Sequence, residues 1–270
     1  MITLFDSSHD ETPSIGALDL NLANGFVVER FDPGFPKPRE VVQPYVTGSG
    51  DLDTTRFHGG STAELRGIVI GTSSTSRQQS LDAIKQYMLP GKRTALVWDL
   101  NDDPADQRRI DFRCSAWSAP IERHNRIYWR ASLFNPLGIQ VSASTKEITV
   151  EHGAHVDGIR NKGNHPYLPK AKLTSGKWVN PNIGCSGVDQ PTHDQHNYVL
   201  FFGGLTVEDG EEFEVDFQKR TAIHNGDSVT DKINYALSSW WTTPPNLPIR
   251  ISVGGAGTPS VKLTFRDAWI

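Results

Sequence analysis

The chain has 270 residues, of which 37% are hydrophobic, with 24 Gly, 17 Pro and a formal net charge of −4. That length suits one large or two ordinary domains, and a chain poor in core formers but rich in turn residues favours many short strands over long helices. Up to Thr145 there are 15 Lys and Arg against 17 Asp and Glu, and after it 12 against 14, so neither half carries the basic footprint of a nucleic-acid binder and sequence-specific binding is not expected.

The opening residues, Met1 to Asp6, show no positive region ahead of an apolar core, so no secretory signal is expected. Tyr198 to Phe202 is among the longest apolar runs and is far too short for a bilayer, so membrane insertion is not expected either. Cys114 and Cys185 fall in different halves, at a spacing that makes neither a metal knuckle nor a redox pair. They read as two buried free thiols in a protein made in a reducing cytoplasm.

In chain order, Asn24-Gly25 has the chemistry of a tight type I′ hairpin turn. Asp32 to Pro44 holds four prolines and reads as an extended, exposed loop. Ala63 to Ile70 is a strand. A helix follows, with N-cap hydroxyls at Ser73 to Ser76, one face of Leu81, Ile84, Tyr87 and Met88, and a stop at Pro90-Gly91. That face is a packing stripe. Thr94 to Leu100 is the next strand, and Arg109 to Ala119 and Ile127 to Phe134 form a hairpin around Glu122 to Asn125. The polar stretch Ser142 to Thr145 marks a domain boundary, giving residues 1–142 and 143–270.

Beyond the boundary, strands are expected at Glu147 to Glu151, Leu168 to Thr174, Tyr198 to Phe202, Glu212 to Phe217 and Arg220 to His224. A short helix is expected near Asp231 to Trp240. Asn225-Gly226 and Glu208-Asp209-Gly210 are turns. Ile249 to Val253 and Val261 to Ile270 alternate apolar and polar residues and close an antiparallel sandwich, with Trp269 and Ile270 packed.

No constellation stands out as a site. His152 and His155 share an H-x-x-H spacing, as do His193 and His196, but such a pair in a loop is a weak metal signal without a converging third ligand. His193 and His196 lie in the polar stretch Gly184 to Asn197, which Cys185 opens. Asp99 to Asp103 begins like a calcium loop, but Pro104 stands where Gly is needed and Ile110 where Glu is needed. No nucleophile elbow, P-loop or H-E-x-x-H occurs. The 31 acidic residues offer no pair distinguished by context as a glycosidase pair would be. Seven tryptophans on a β scaffold would suit a carbohydrate-binding adhesin only if their rings were exposed, and most lie in alternating strands. No catalytic residue, cofactor or metal is therefore expected.

Three regions resemble one family. The first is Arg66-Gly67-Ile68-Val69-Ile70-Gly71, the helix to Leu89-Pro90, Ala95 to Trp98, and the strands Arg109 to Trp117 and Arg126 to Phe134, closing on Asn135-Pro136. The second is Ile159 to Pro169, which looks like an N-x-G-N-x-P segment at Asn161, Gly163, Asn164 and Pro166. The third is the block from Trp240 to Trp269, with an aromatic-to-proline-to-asparagine turn ahead of the last two strands. Together they resemble the distal tail protein (Dit) family of long-tailed bacteriophages, over most of the chain. Pro245 departs from the Gly that the family often has at this turn, and Gly184 to Asn197 looks longer than the family minimum.

The resemblance implies a mainly β protein. An N-terminal β-sheet domain with one packed helix is followed by a galectin-like antiparallel β-sandwich. It implies a non-enzymatic virion component, made in the host cytoplasm. Such proteins usually form a six-copy ring at the end of the tail tube, joining it to tail-tip and receptor-binding proteins, with DNA passing through the channel. The galectin-like shape does not imply sugar binding, because function lives in the site. The nearest string to a galectin sugar motif, His124-Asn125-Arg126, falls in a turn of the other domain.

Overall fold

The computed structural model describes residues 1–6, 17–36, 38–44, 51–89, 91–100, 103–123, 125–187 and 198–270, with backbone alone at 38–44, 51–58, 104–105 and 120–123. They divide into two compact units, Met1–Ala143 and Ser144–Trp269. The fold is mainly β, and every named strand pairing is antiparallel.

The first unit runs β1 (Ile2–Asp6), β2 (Leu18–Asp19), β3 (Phe26–Asp32), β4 (Pro38–Pro44), β5 (Asp51–His58), β6 (Ser61–Ile70), α1 (Ser74–Tyr87), β7 (Thr94–Leu100), β8 (Asp103–Arg123), β9 (Arg126–Asn135) and β10 (Gln140–Ser142). The strand order is β2-β1-β7-β8-β9-β6-β3, with β10 on β8. β8 serves two partners. Its first part pairs with β7, Thr94 opposite Phe112, and its second with β9, Arg113 opposite Phe134. Residues from both flanks of β8 share one core, among them Leu96, Trp98, Ile110, Phe112, Trp129 and Leu133.

The helix closes that core with Leu81, Ile84 and Met88. Its first turn carries a capping box: Ser76 N–H donates to Ser73 Oγ at 3.1 Å and Ser73 N–H to Ser76 Oγ at 3.2 Å. At the other end Thr94 Oγ1 donates to the carbonyl of Tyr87 at 2.8 Å, satisfying one of the orphan acceptors of the last turn. Pro90 lies outside the described residues.

Two expectations in this unit are corrected. Asn24-Gly25 closes no hairpin, because β2 pairs with β1 and β3 with β6. Asn21 instead caps a single 3-10 turn, Leu22–Asn24, which Gly25 ends at φ 78°. Asp32 to Pro44 is not all loop, since β4 pairs with β5. The prolines at the two ends of β4 are tolerated because a two-stranded ladder leaves one edge of each strand open, where a missing N–H costs nothing.

The second unit runs β11 (Lys146–Glu151), β12 (His155–Arg160), β13 (Lys170–Ser175), β14 (Trp178–Gly187), β15 (Tyr198–Phe201), β16 (Thr206–Val207), β17 (Phe213–Asp216), β18 (Thr221–His224), β19 (Asp227–Ser228), β20 (Pro248–Gly257) and β21 (Ser260–Phe265). One sheet has the order β11-β21-β13-β17-β18-β19, the other β12-β20-β14-β15 with β16 on β14. Inward residues of both sheets, including Trp178, Ile183, Phe202, Phe213, Ile251 and Leu263, form one core. This is the antiparallel sandwich expected from the alternation. Asn225 at φ 50° and Gly226 at φ 87° make the tight turn between β18 and β19.

Two further corrections belong here. Asp231 to Trp240 is not a helix; one 3-10 turn, Thr230–Lys232, leads into irregular chain. Two of its backbone donors go to β15 instead, Asn234 N–H to the Phe201 carbonyl and Ser239 N–H to the Val199 carbonyl, both at 2.9 Å, so the segment covers a sheet edge. Gly184 to Gly187 is the end of β14 rather than the start of a loop, and Cys185 points into the core.

Candidate functional site

Among the described residues, no group of three His, Cys, Asp or Glu side chains could hold a metal ion. His152 and His155 are used separately. The ring of His152 meets the Gly255 carbonyl at 3.0 Å, and His155 lies 3.7 Å from Asp157. Asp157 is gripped by Arg250 through two hydrogen bonds of 2.6 and 3.1 Å, and that guanidinium holds its carboxyl below the usual range. His193, His196 and His124 lie outside the described residues, and burial pushes the Cys185 thiol up to about 12.

Asp99 accepts from the Met1 amine at 2.9 Å and from Gln107 Nε2 at 2.8 Å, and the amine, then Gln107, lowers its pKa. Both contacts are structural. Asp103 opens β8, and Asn101 and Asp102 lie outside the described residues. Asn125 sits in the β8–β9 turn at φ 65°, followed by Arg126 at the start of β9.

None of the seven tryptophans is exposed. Trp98, Trp129, Trp178 and Trp241 are buried, and Trp117, Trp240 and Trp269 are half-buried. Trp178 donates to the Gly254 carbonyl at 2.6 Å and Trp241 to Ile183 at 3.3 Å. Phe217 packs against both Trp240 and Trp241, with centroids 5.4 and 4.5 Å apart. Trp178, Trp240 and Trp241 thus pack into the sandwich, and no tryptophan offers an exposed ring as a platform for a sugar.

The N-x-G-N-x-P segment is a clip. Asn161 is 1% exposed and its side chain makes four hydrogen bonds. Oδ1 accepts from Gly163 N–H at 2.9 Å and Ala268 N–H at 3.1 Å; Nδ2 donates to the carbonyls of His165 at 2.7 Å and Thr243 at 3.2 Å. One amide thus ties its own loop, the corner at Thr243 and the closing segment at Ala268. A Cβ on Gly163 would fall 1.6 Å from the Ala268 carbonyl oxygen, so only glycine allows this approach. Asp267 adds a second tie, accepting from Lys162 N–H at 2.7 Å. At the closing turn Pro245 bridges Asn161, and Asn246 takes the left-handed conformation at φ 58°. Asn tolerates that conformation better than most residues, because its short polar side chain can hydrogen-bond locally.

Sequence reading found the segment through its resemblance but not the role of its first asparagine, because a fourfold hydrogen-bonded amide shows no pattern in one dimension. It also missed a row of arginines across β3, β6 and β9, which only strand register reveals.

No family model matches the chain, and no curated protein matches it in sequence. Solved structures do match in fold. The Dit protein of phage SPP1, a hub of the adsorption apparatus in phages that infect Gram-positive bacteria, aligns with a TM-score of 0.64 at 13% identity, covering 100% of both chains. A chain of the phage P2 baseplate in its activated conformation with calcium aligns at TM-score 0.51 and 8% identity, covering 97% of each chain. The same baseplate with strontium gives 0.52 at 8% identity, again over 97% of each. The chain has the fold of the phage distal tail hub protein, end to end.

Proposed function

We propose that this chain is a non-enzymatic structural component of a long-tailed bacteriophage virion, the distal tail hub. Residues 1–142 build a ring of six copies at the end of the tail tube, and residues 143–270 form the outward galectin-like sandwich. The ring joins the tube to the tail-tip and receptor-binding proteins and lets DNA through its channel. The observation that carries this reading is the match in fold to the Dit protein of phage SPP1 across the whole of both chains. The charge balance is consistent with it, because a channel without a basic excess does not retain a passing polyanion.

Native mass spectrometry and negative-stain imaging of the purified protein test it. A closed ring of one copy number, six, is expected. A strictly monomeric species at high concentration, with no ring in images of the phage tail, would overturn it.

A further inference from the structure

The outer face of the sheet formed by β3, β6, β9 and the second part of β8 carries three arginines side by side. Arg30 stands opposite Arg66, Arg66 opposite Arg130, and Arg130 opposite Ser118. Like charges directly opposite one another weaken a sheet, so such a row needs compensation. Two of the three have it within their own strand. Arg30 lies 3.5 Å from Asp32 and Arg66 3.0 Å from Glu64. Arg130 is different: its Nε donates to Ser118 Oγ at 3.2 Å, and among the described residues no carboxylate pairs with it. Its two terminal nitrogens are left as a fork of donors.

That fork borders a shallow depression of about 280 Å³, lined by Arg66, Arg130, Ser118, Tyr128 and Glu29. Arg66 and Arg130 bring charged donors to it, and the hydroxyls of Ser118 and Tyr128 can each add one. We propose that this depression binds a single oxyanion, a carboxylate or a phosphate, seated end-on against Arg130 and held by Arg66 and the two hydroxyls. Planar two-point recognition of an oxyanion is what a guanidinium does best. Glu29 on the rim limits the occupant. With Asp32 and Glu64 it brings the local acids level with the three arginines, so an extended polyanion gains no net field here while one well-placed anion gains hydrogen bonds. Anion binding is read separately from copy number, so its failure would leave the tail-hub reading untouched.

Thermal unfolding of the full chain tests the site, with inorganic phosphate and acetate titrated against chloride at equal ionic strength. Stabilisation by phosphate, by acetate or by both, on the order of 2–4 °C in Tm, is expected, and which anion acts tells phosphate from carboxylate. Arg130→Gln should abolish the shift, whereas Arg30→Gln, which changes a residue outside the depression, should keep it. Ser118→Ala and Tyr128→Phe should reduce the shift without altering charge, and they read the same site if Arg130→Gln does not fold. Equal Tm in all three salts, or a shift that Arg130→Gln retains, would overturn the proposal.

Discussion

Asn161 concentrates more of the second unit's specification than any other polar side chain described above. Replacing it with Ala leaves buried N–H groups of Gly163 and Ala268 unpaired, which costs about 3 kcal/mol. Urea unfolding should show a lower midpoint at unchanged slope, with Asn161→Asp, which keeps the acceptor and loses both donors, falling between. The cysteines give a second residue-scale expectation. Burial raises both thiols, Cys185 to about 12 and Cys114 by less, so alkylation at neutral pH should be slow at Cys114 and absent at Cys185 until the chain unfolds.

Glu211 sets an acid limit. Its carboxylate accepts from Glu208 N–H at 2.8 Å, from Asn225 Nδ2 at 3.1 Å, and meets the ring of His224 at 2.8 Å. These bonds, the backbone one first, hold its pKa below the ordinary 4.5. A depressed folded value means its contribution is present above pH 4.5 and fades as pH falls through the folded value. Glu211→Gln should therefore be less stable than the parent at neutral pH, and the difference should shrink as pH falls below 4.5 in denaturant titrations across pH.

At the scale of elements, the helix was legible because its signals agree: hydroxyls at Ser73 and Ser76, and Leu81, Ile84 and Met88 on one face. Ser73→Ala should remove about 1 kcal/mol, read as a drop of roughly 2–4 °C in Tm. β7 and β9 were legible for the same reason, a run of core formers in one and strict alternation in the other. β14 was not. Asn180, Pro181 and Asn182 are turn formers rather than strand formers, and they sit at a break in register where Asn180 takes φ 50°. Beyond it Ile183, Gly184 and Cys185 are buried in succession, which hides the twofold period. β12 was lost to a similar irregularity at Gly158, φ 74°. The arginine row was invisible for a deeper reason, since Arg30, Arg66 and Arg130 are far apart in sequence and become neighbours only through pairing.

For the whole molecule, each unit has a core of its own, and the second closes on aromatic rings from both of its sheets. A fragment of residues 144–270 should therefore fold alone, with a near-ultraviolet dichroism signal from buried Trp178 and Trp241 and one cooperative melt. A broad, non-cooperative transition would show that its stability is borrowed. Composition and element order reached the fold here because alternation, turn chemistry and capping are local signals. What the chain recognises is held in surfaces, and surfaces are assembled from strands that sequence order does not place side by side.

β8 carries one last implication, for heredity. Ile110, Phe112 and Cys114 face the core, and the break in register between Cys114 and Ala116 shifts the inward set to Trp117 and Ala119. One extra or missing codon beyond that break would exchange Trp117 for Ser118 and turn a whole strand face over, in a strand that two neighbours depend on. A pair of codons would only slide the ladder. The pairing with β9 already shifts a second time between Ser118 and Ile121, so length variants that survive in this stretch should differ by even numbers of residues or add a further bulge that restores the count.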